Sequence, residues 1–131
     1  MAITLLQSQV RLLEAQIAEA SYTAEVPDEL TLWIDRLIQI ESGGRENIKI
    51  LDVNGKYSYG CLQFQRATFV GYSKQYGFFG NLKEVDWDKE IMNCRTQKTL
   101  LRNMLADDYK NYDHWRNSVK KLGKPPLPVD N

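Results

Sequence analysis

Apolar residues along this chain keep two rhythms. Leu30, Trp33, Ile34, Leu37 and Ile38 recur at spacings of three and four, and Glu41 falls on the same stripe. That is one face of a helix of 3.6 residues per turn. Pro27, with Asp28 and Glu29 behind it, marks the start, and Gly43-Gly44 marks the stop; the pattern predicts a helix over 27–42. Ile3, Leu6, Val10, Leu13 and Ile17 form an a/d pattern within a predicted helix over 2–21. It is too short for an independent coiled coil, so the plainer reading packs it on the domain; self-association through it is the alternative. Ser21 to Val26 is a short polar connection.

The second rhythm lies over 47–60. Ile48 to Val53 and Lys56 to Tyr59 are β-prone and flank Asn54-Gly55, the favoured type I′ hairpin turn. A two-residue loop sets Val53 against Lys56, Asp52 against Tyr57 and Leu51 against Ser58. Helical spacing returns over 66–76, ended by Gly77, and over 86–108, the longest helix expected. There Ile91, Cys94, Leu101, Met104 and Leu105 mark the buried face. A last helix is expected over 109–122, with Tyr112, Trp115, Val119 and Leu122 inward and Gly123 as stop. Phe78 and Phe79, in the loop 77–85, are expected in the core. Lys124-Pro125-Pro126-Leu127-Pro128 reads as an extended tail or linker. The fold class is mainly α (α+β): helices with one small hairpin. The units are an amphipathic helix (1–22), a domain (23–123) and a Pro-rich tail (124–131).

Composition narrows the function classes. The 131 residues are enough for a single core, and 43% hydrophobic with 26% charged is globular. Lys plus Arg equals Asp plus Glu at 17 each, so no global field draws the chain to nucleic acid. No apolar run reaches the roughly 18 residues of a membrane span, and no secretion leader is visible at the N-terminus. No phosphate loop, internal repeat or Cys/His metal set occurs, so no cofactor is implied.

Candidate chemistry centres on Glu41. The C-terminal end of a helix carries partial negative charge, and an apolar setting disfavours a carboxylate. Both raise the pKa of Glu41, as a general acid needs; the bland alternative is a frayed, exposed last-turn residue. Asp52 is a second carboxylate 11 residues on, able to attack or to activate water, or simply a turn residue facing Tyr57 in solvent. Tyr57 and Tyr59 share a strand face, suited to sugar C–H surfaces but also ordinary β-formers. Gly60 permits close backbone approach, and Gln63 offers a donor and acceptors to an acetamido or hydroxyl group. Cys61 and Cys94 read as two buried free thiols, with a single disulfide as the alternative. His114, the only histidine, has polar neighbours and reads as a solvated helix residue.

Glu41-Ser42-Gly43-Gly44, a hairpin, and Gly60-Cys61-Leu62-Gln63 together resemble the signature of the lysozyme-like superfamily. The pattern is closest to soluble lytic transglycosylases and goose-type lysozymes, whose corresponding segments read Glu-Ser-x-x and Gly-Leu-Met-Gln. The motif core covers about a quarter of the chain. The resemblance implies a lysozyme-like fold and cleavage of the MurNAc-β-1,4-GlcNAc bond of peptidoglycan glycan strands. By that resemblance Glu41 would be the acid and Gln63 a cleft residue; Ser42, beside the acid in the chain, is a further candidate for substrate binding. Asp52 would serve only in a goose-type hydrolase. A non-catalytic peptidoglycan-binding or scaffold module is the other reading. The family's Tyr-Asn-x-Gly segment, whose Tyr contacts the acid, is missing; Tyr109 or Tyr112 is the expected substitute. The implied location is extracytoplasmic (periplasm, cell wall or secreted) or phage-associated.

Overall fold

The computed structural model describes residues 28–127. The expected N-terminal helix, with Pro27, and the end of the tail lie outside these residues.

Helix α1 spans Glu29–Ser42. Asp28 caps it, accepting the Thr31 amide at 2.7 Å, a standard satisfaction of an orphan helix donor. It begins two residues later than the Pro27 signal suggested. Trp33, Ile34, Leu37 and Ile38 are buried, as the periodicity predicts. Gly43 ends the helix at φ 64°, its amide returning to the Gln39 carbonyl, a left-handed stop suited to glycine.

A three-stranded antiparallel sheet follows, in the order β1 (Lys49–Leu51), β2 (Tyr57–Tyr59) and β3 (Phe64–Gln65). The predicted register is off by one. Lys49 pairs with Tyr59, Ile50 with Ser58 and Leu51 with Tyr57. The loop is not the two-residue type I′ turn, because Asn54 keeps a negative φ and only Gly55 (φ 80°) is left-handed. The Gly55 amide donates to the Asp52 carbonyl at 3.0 Å, and Asp52 N–H to Lys56 O at 2.8 Å. This is the three-residue hairpin loop, a tight turn followed by a left-handed glycine. The Asn54 side chain selects it by accepting the Lys56 amide at 3.0 Å, which offers the backbone a local alternative. A one-residue slip moves side chains to the other face. Asp52 therefore shares a face with Ser58 and is separated from Tyr57. The third strand, absent from the sequence expectation, pairs Gln65 with Ser58 and Phe64 with Tyr59.

Helix α2 spans Arg66–Gln75. The long helix expected over 86–108 is two. Helix α3 (Trp87–Ile91) ends at Met92, and α4 (Cys94–Asp107) restarts with Asn93 as cap, its side chain accepting the Thr96 amide at 3.2 Å. The last helix is also divided, into a 3₁₀ stretch Tyr109–Trp115 and α5 (Arg116–Leu122). Asp108 separates the 3₁₀ stretch from α4 and caps its start, its carboxylate accepting the Lys110 amide.

Leu37, Leu62, Phe69, Leu100, Leu101 and Met104 form the solvent-free centre of the core. Phe78 and Phe79 pack against it as expected. Cys61 and Cys94 are joined in a disulfide, which corrects the free-thiol reading. The turn after β2 and the start of α4 bring their Cα atoms to 5.6 Å, inside bridging range. The tail is not free at its start: Pro125 is buried and its carbonyl accepts the Tyr109 hydroxyl.

Candidate functional site

Four segments enclose one polar cleft of about 410 Å³: the end of α1, the sheet, the start of α2, and the 114–118 segment. Glu41 and Asp52 both line it, with Ser58, Gln63, Gln65, Thr68, His114, Arg116, Asn117 and Ser118. The aromatic edge is Phe64 against Trp115, ring centres 5.1 Å apart. Trp115 is fixed by its indole N–H, which donates to the Leu62 carbonyl at 2.7 Å.

Glu41 sits on the last turn of α1, half-buried, and accepts the Ser118 hydroxyl at 2.6 Å. Burial is the main cause that raises its pKa above the ordinary carboxylate value, and the nearby negative charge of Asp52 adds to it. The Ser118 hydrogen bond and the Lys121 charge pull the other way without reversing it. The exposed, frayed alternative for this residue does not describe what is seen.

Asp52 has two roles. Its backbone closes the hairpin loop, while its carboxylate reaches the cleft. Oδ2 accepts both the Ser58 hydroxyl and the Gln65 amide, the latter at 2.9 Å. The β2–β3 register makes this possible, since Ser58 and Gln65 are direct cross-strand partners.

Gln63 lines the cleft, on the only non-glycine residue with positive φ (56°) among those described. That conformation is strained for a residue with a Cβ. It is held by the residue's own side chain, whose amide donates to the Gly60 carbonyl at 2.8 Å. Behind the same turn lies Gln97, buried without solvent contact. Its Nε2 donates to the carbonyls of Tyr59 and Ile91, and its Oε1 accepts the Leu62 amide at 2.8 Å. A Cβ on Gly60 would collide with that amide and lie 3.1 Å from the Ile91 carbonyl, so glycine there admits the clamp.

Other sequence candidates fall elsewhere. Ser42 is buried and bonded to its own helix, donating to the Ile38 carbonyl at 3.0 Å; it is a structural residue. Tyr57 and Tyr59 lie on the sheet face opposite Ser58, in a separate groove, because alternation puts neighbours on opposite faces. Tyr112 packs edge-on to Tyr109 and under Lys124, away from the cleft. The hydroxyl expected from Tyr109 or Tyr112 at the acid comes from Ser118 instead. His114, expected on a solvated face, is exposed yet borders the cleft beside Tyr72 and Trp115. Partial burial lowers its pKa, against the opposing charge of Asp113.

Sequence reasoning missed Ser118, 77 positions from Glu41, for which no local signal exists. Ser58 was findable: it alternates with two tyrosines and so faces away from them. Among the described residues no cluster of His, Cys, Asp or Glu could hold a metal ion. No described helix is long and apolar enough to cross a membrane.

No protein-family model matches this chain, and no curated protein or solved structure is significantly similar to it.

Proposed function

We propose that this chain cleaves the β-1,4 bond between N-acetylmuramic acid and N-acetylglucosamine in peptidoglycan, as a lytic transglycosylase with Glu41 as its single acid. The observation that carries the reading is a half-buried carboxyl of raised pKa opening onto a polar cleft lined by amides and hydroxyls. A protonated Glu41 gives its proton to the glycosidic oxygen as the bond breaks and an oxocarbenium-like centre develops. The resulting carboxylate then takes the proton of the sugar's own 6-hydroxyl, which closes on the anomeric carbon to an anhydro end. Gln63, Asn117 and Ser118 supply donors and acceptors for acetamido and hydroxyl groups.

Asp52 favours a second reading, hydrolysis. Its carboxylate is fixed by two donors in the same cleft, an arrangement suited to orienting water or stabilising positive charge.

Digestion of purified cell wall followed by mass spectrometry tests both. Transglycosylase products are lighter by one water per cleaved end. Glu41→Gln lowers turnover by about 10²–10⁴-fold, the span of a lost general acid. Asp52→Asn leaves a transglycosylase active and disables a hydrolase. Wall binding with no product from the unaltered chain makes it a binding module, and an active Glu41→Gln variant refutes the assignment of the acid.

A further inference from the structure

The tyrosine-bearing face of the sheet is a second groove. Its walls are Tyr57, Tyr59 and Gln65 from β2 and β3, and Arg66, Ala67 and Val70 from α2, with Lys56 at the rim. The surface is unusual in two respects. First, it exposes large apolar groups: Tyr57 is 42% exposed, its cross-strand partner Leu51 is 59% exposed, and Val53 at the loop is fully exposed. Second, it is cationic. The Lys49 ammonium sits 4.1 Å from the centre of the Tyr57 ring and 5.7 Å from that of Tyr59, held there by the ring quadrupoles. Neither Lys49 nor Lys56 has a carboxylate ion-pair partner among the described residues, whereas Arg66 is paired with exposed Asp88.

The groove and the proposed catalytic cleft lie on opposite faces of the sheet and share one lining residue, on the edge strand β3. Gln65 lines both, its amide donating to Asp52 on the cleft side. A chain that rounds this edge of the sheet at Gln65 would reach Lys56 and Tyr57, with the Lys49 ammonium over the Tyr57 ring.

The geometry points to this groove as the site that receives the acidic stem peptide of the glycan strand being cleaved. The inference rests on the peptidoglycan reading above. Stem peptides hang from the muramyl sugar beside the scissile bond, carry free carboxylates, and bear small methyl side chains. The carboxylates match Lys49 and Lys56, and the methyl groups match the Tyr57, Ala67 and Val70 surface. A neutral sugar would use the rings but leave the lysines without a counter-charge.

Two measurements test this separately from the activity. In the first, Glu41→Gln protein is titrated with a free stem tetrapeptide and followed by NMR. The Tyr57 and Tyr59 signals should shift, and Lys49→Glu with Lys56→Glu should abolish the shifts. No shift, or an equal shift with a peptide-free glycan oligomer, overturns the proposal. In the second, the Tyr57→Ser, Lys56→Glu variant is compared on intact glycan and on glycan stripped of peptide by an amidase. A fall of roughly tenfold in kcat/KM on the intact substrate alone, or 1.4 kcal/mol, supports the site; an equal fall on both, or none, overturns it. Should the unaltered chain cleave neither substrate, the peptidoglycan-cleavage reading fails, and the titration still decides whether the groove takes an acidic peptide.

Discussion

The turn from Gly60 to Gln63 has a dry side and a wet side, each governed by a glutamine. Gln97, on the dry side, is inaccessible to solvent and all its polar atoms are engaged with backbone groups. Gln63, on the wet side, is half-buried, spends one donor on Gly60, and borders the cleft. A buried amide must be fully satisfied because unpaired polar groups are costly away from water. One at a cleft can keep capacity for a ligand because water serves it meanwhile. The same distinction separates Trp115, fixed by Leu62, from Glu41 and Asp52, each held through one oxygen. The dry side supplies rigidity, and the wet side holds the groups that the proposed chemistry would use.

The largest effect should come from breaking the dry side. Gln97→Leu strands the Leu62 amide and the Tyr59 and Ile91 carbonyls, at about 1–3 kcal/mol for each buried group left unpaired. Chemical denaturation should show a loss of roughly 3 kcal/mol or more; an unchanged midpoint would mean water replaces the amide and the side is not dry. Next is Cys61→Ala with Cys94→Ala. The bridge spans 33 positions, and loop closure of that length is worth about 3–4 kcal/mol. Because Gln97 still clamps the turn, the folded double variant should retain its cleft chemistry, measured per folded molecule.

Wet-side changes should spare stability and move chemistry. Ser118→Ala costs about 1 kcal/mol, one ordinary hydrogen bond, and removes an interaction that lowers the Glu41 pKa. The descending limb of the activity–pH profile should shift to higher pH; a downward shift would contradict the geometry at Oε1. The smallest effect is on pH-dependent stability. The folded chain holds the Glu41 proton more tightly than the unfolded chain, whose value is near 4.5. The associated stability is therefore full below that value and is lost as pH rises through the higher folded value. Glu41→Gln should flatten the decline of Tm with pH in that window, and an unaltered slope would count against a raised pKa.

Several parts of this molecule were legible in the chain. The α1 stripe, its glycine stop, the placement of Glu41 on the last turn, and the burial of Leu101, Met104 and Leu105 all follow from helical spacing, a local property. The hairpin was legible too, but not its register. Asn-Gly suits both a two-residue and a three-residue loop, and a side-chain bond from Asn54 decides between them. That single step put Asp52 into the cleft and took Tyr57 and Tyr59 out of it. The break at Asn93 was hidden because the apolar stripe continues on both sides of it.

What the sequence determined by itself was periodicity, and with it which residues lie on which face of each helix. What tertiary structure decided was everything that needs two distant segments: the Cys61–Cys94 bridge, the Gln97 clamp, and Ser118 against Glu41. The physical reason is range. Helical spacing is written between residues a few positions apart, whereas a pKa or a cleft depends on which side chains the fold sets beside a carboxyl, and no neighbour along the chain records that.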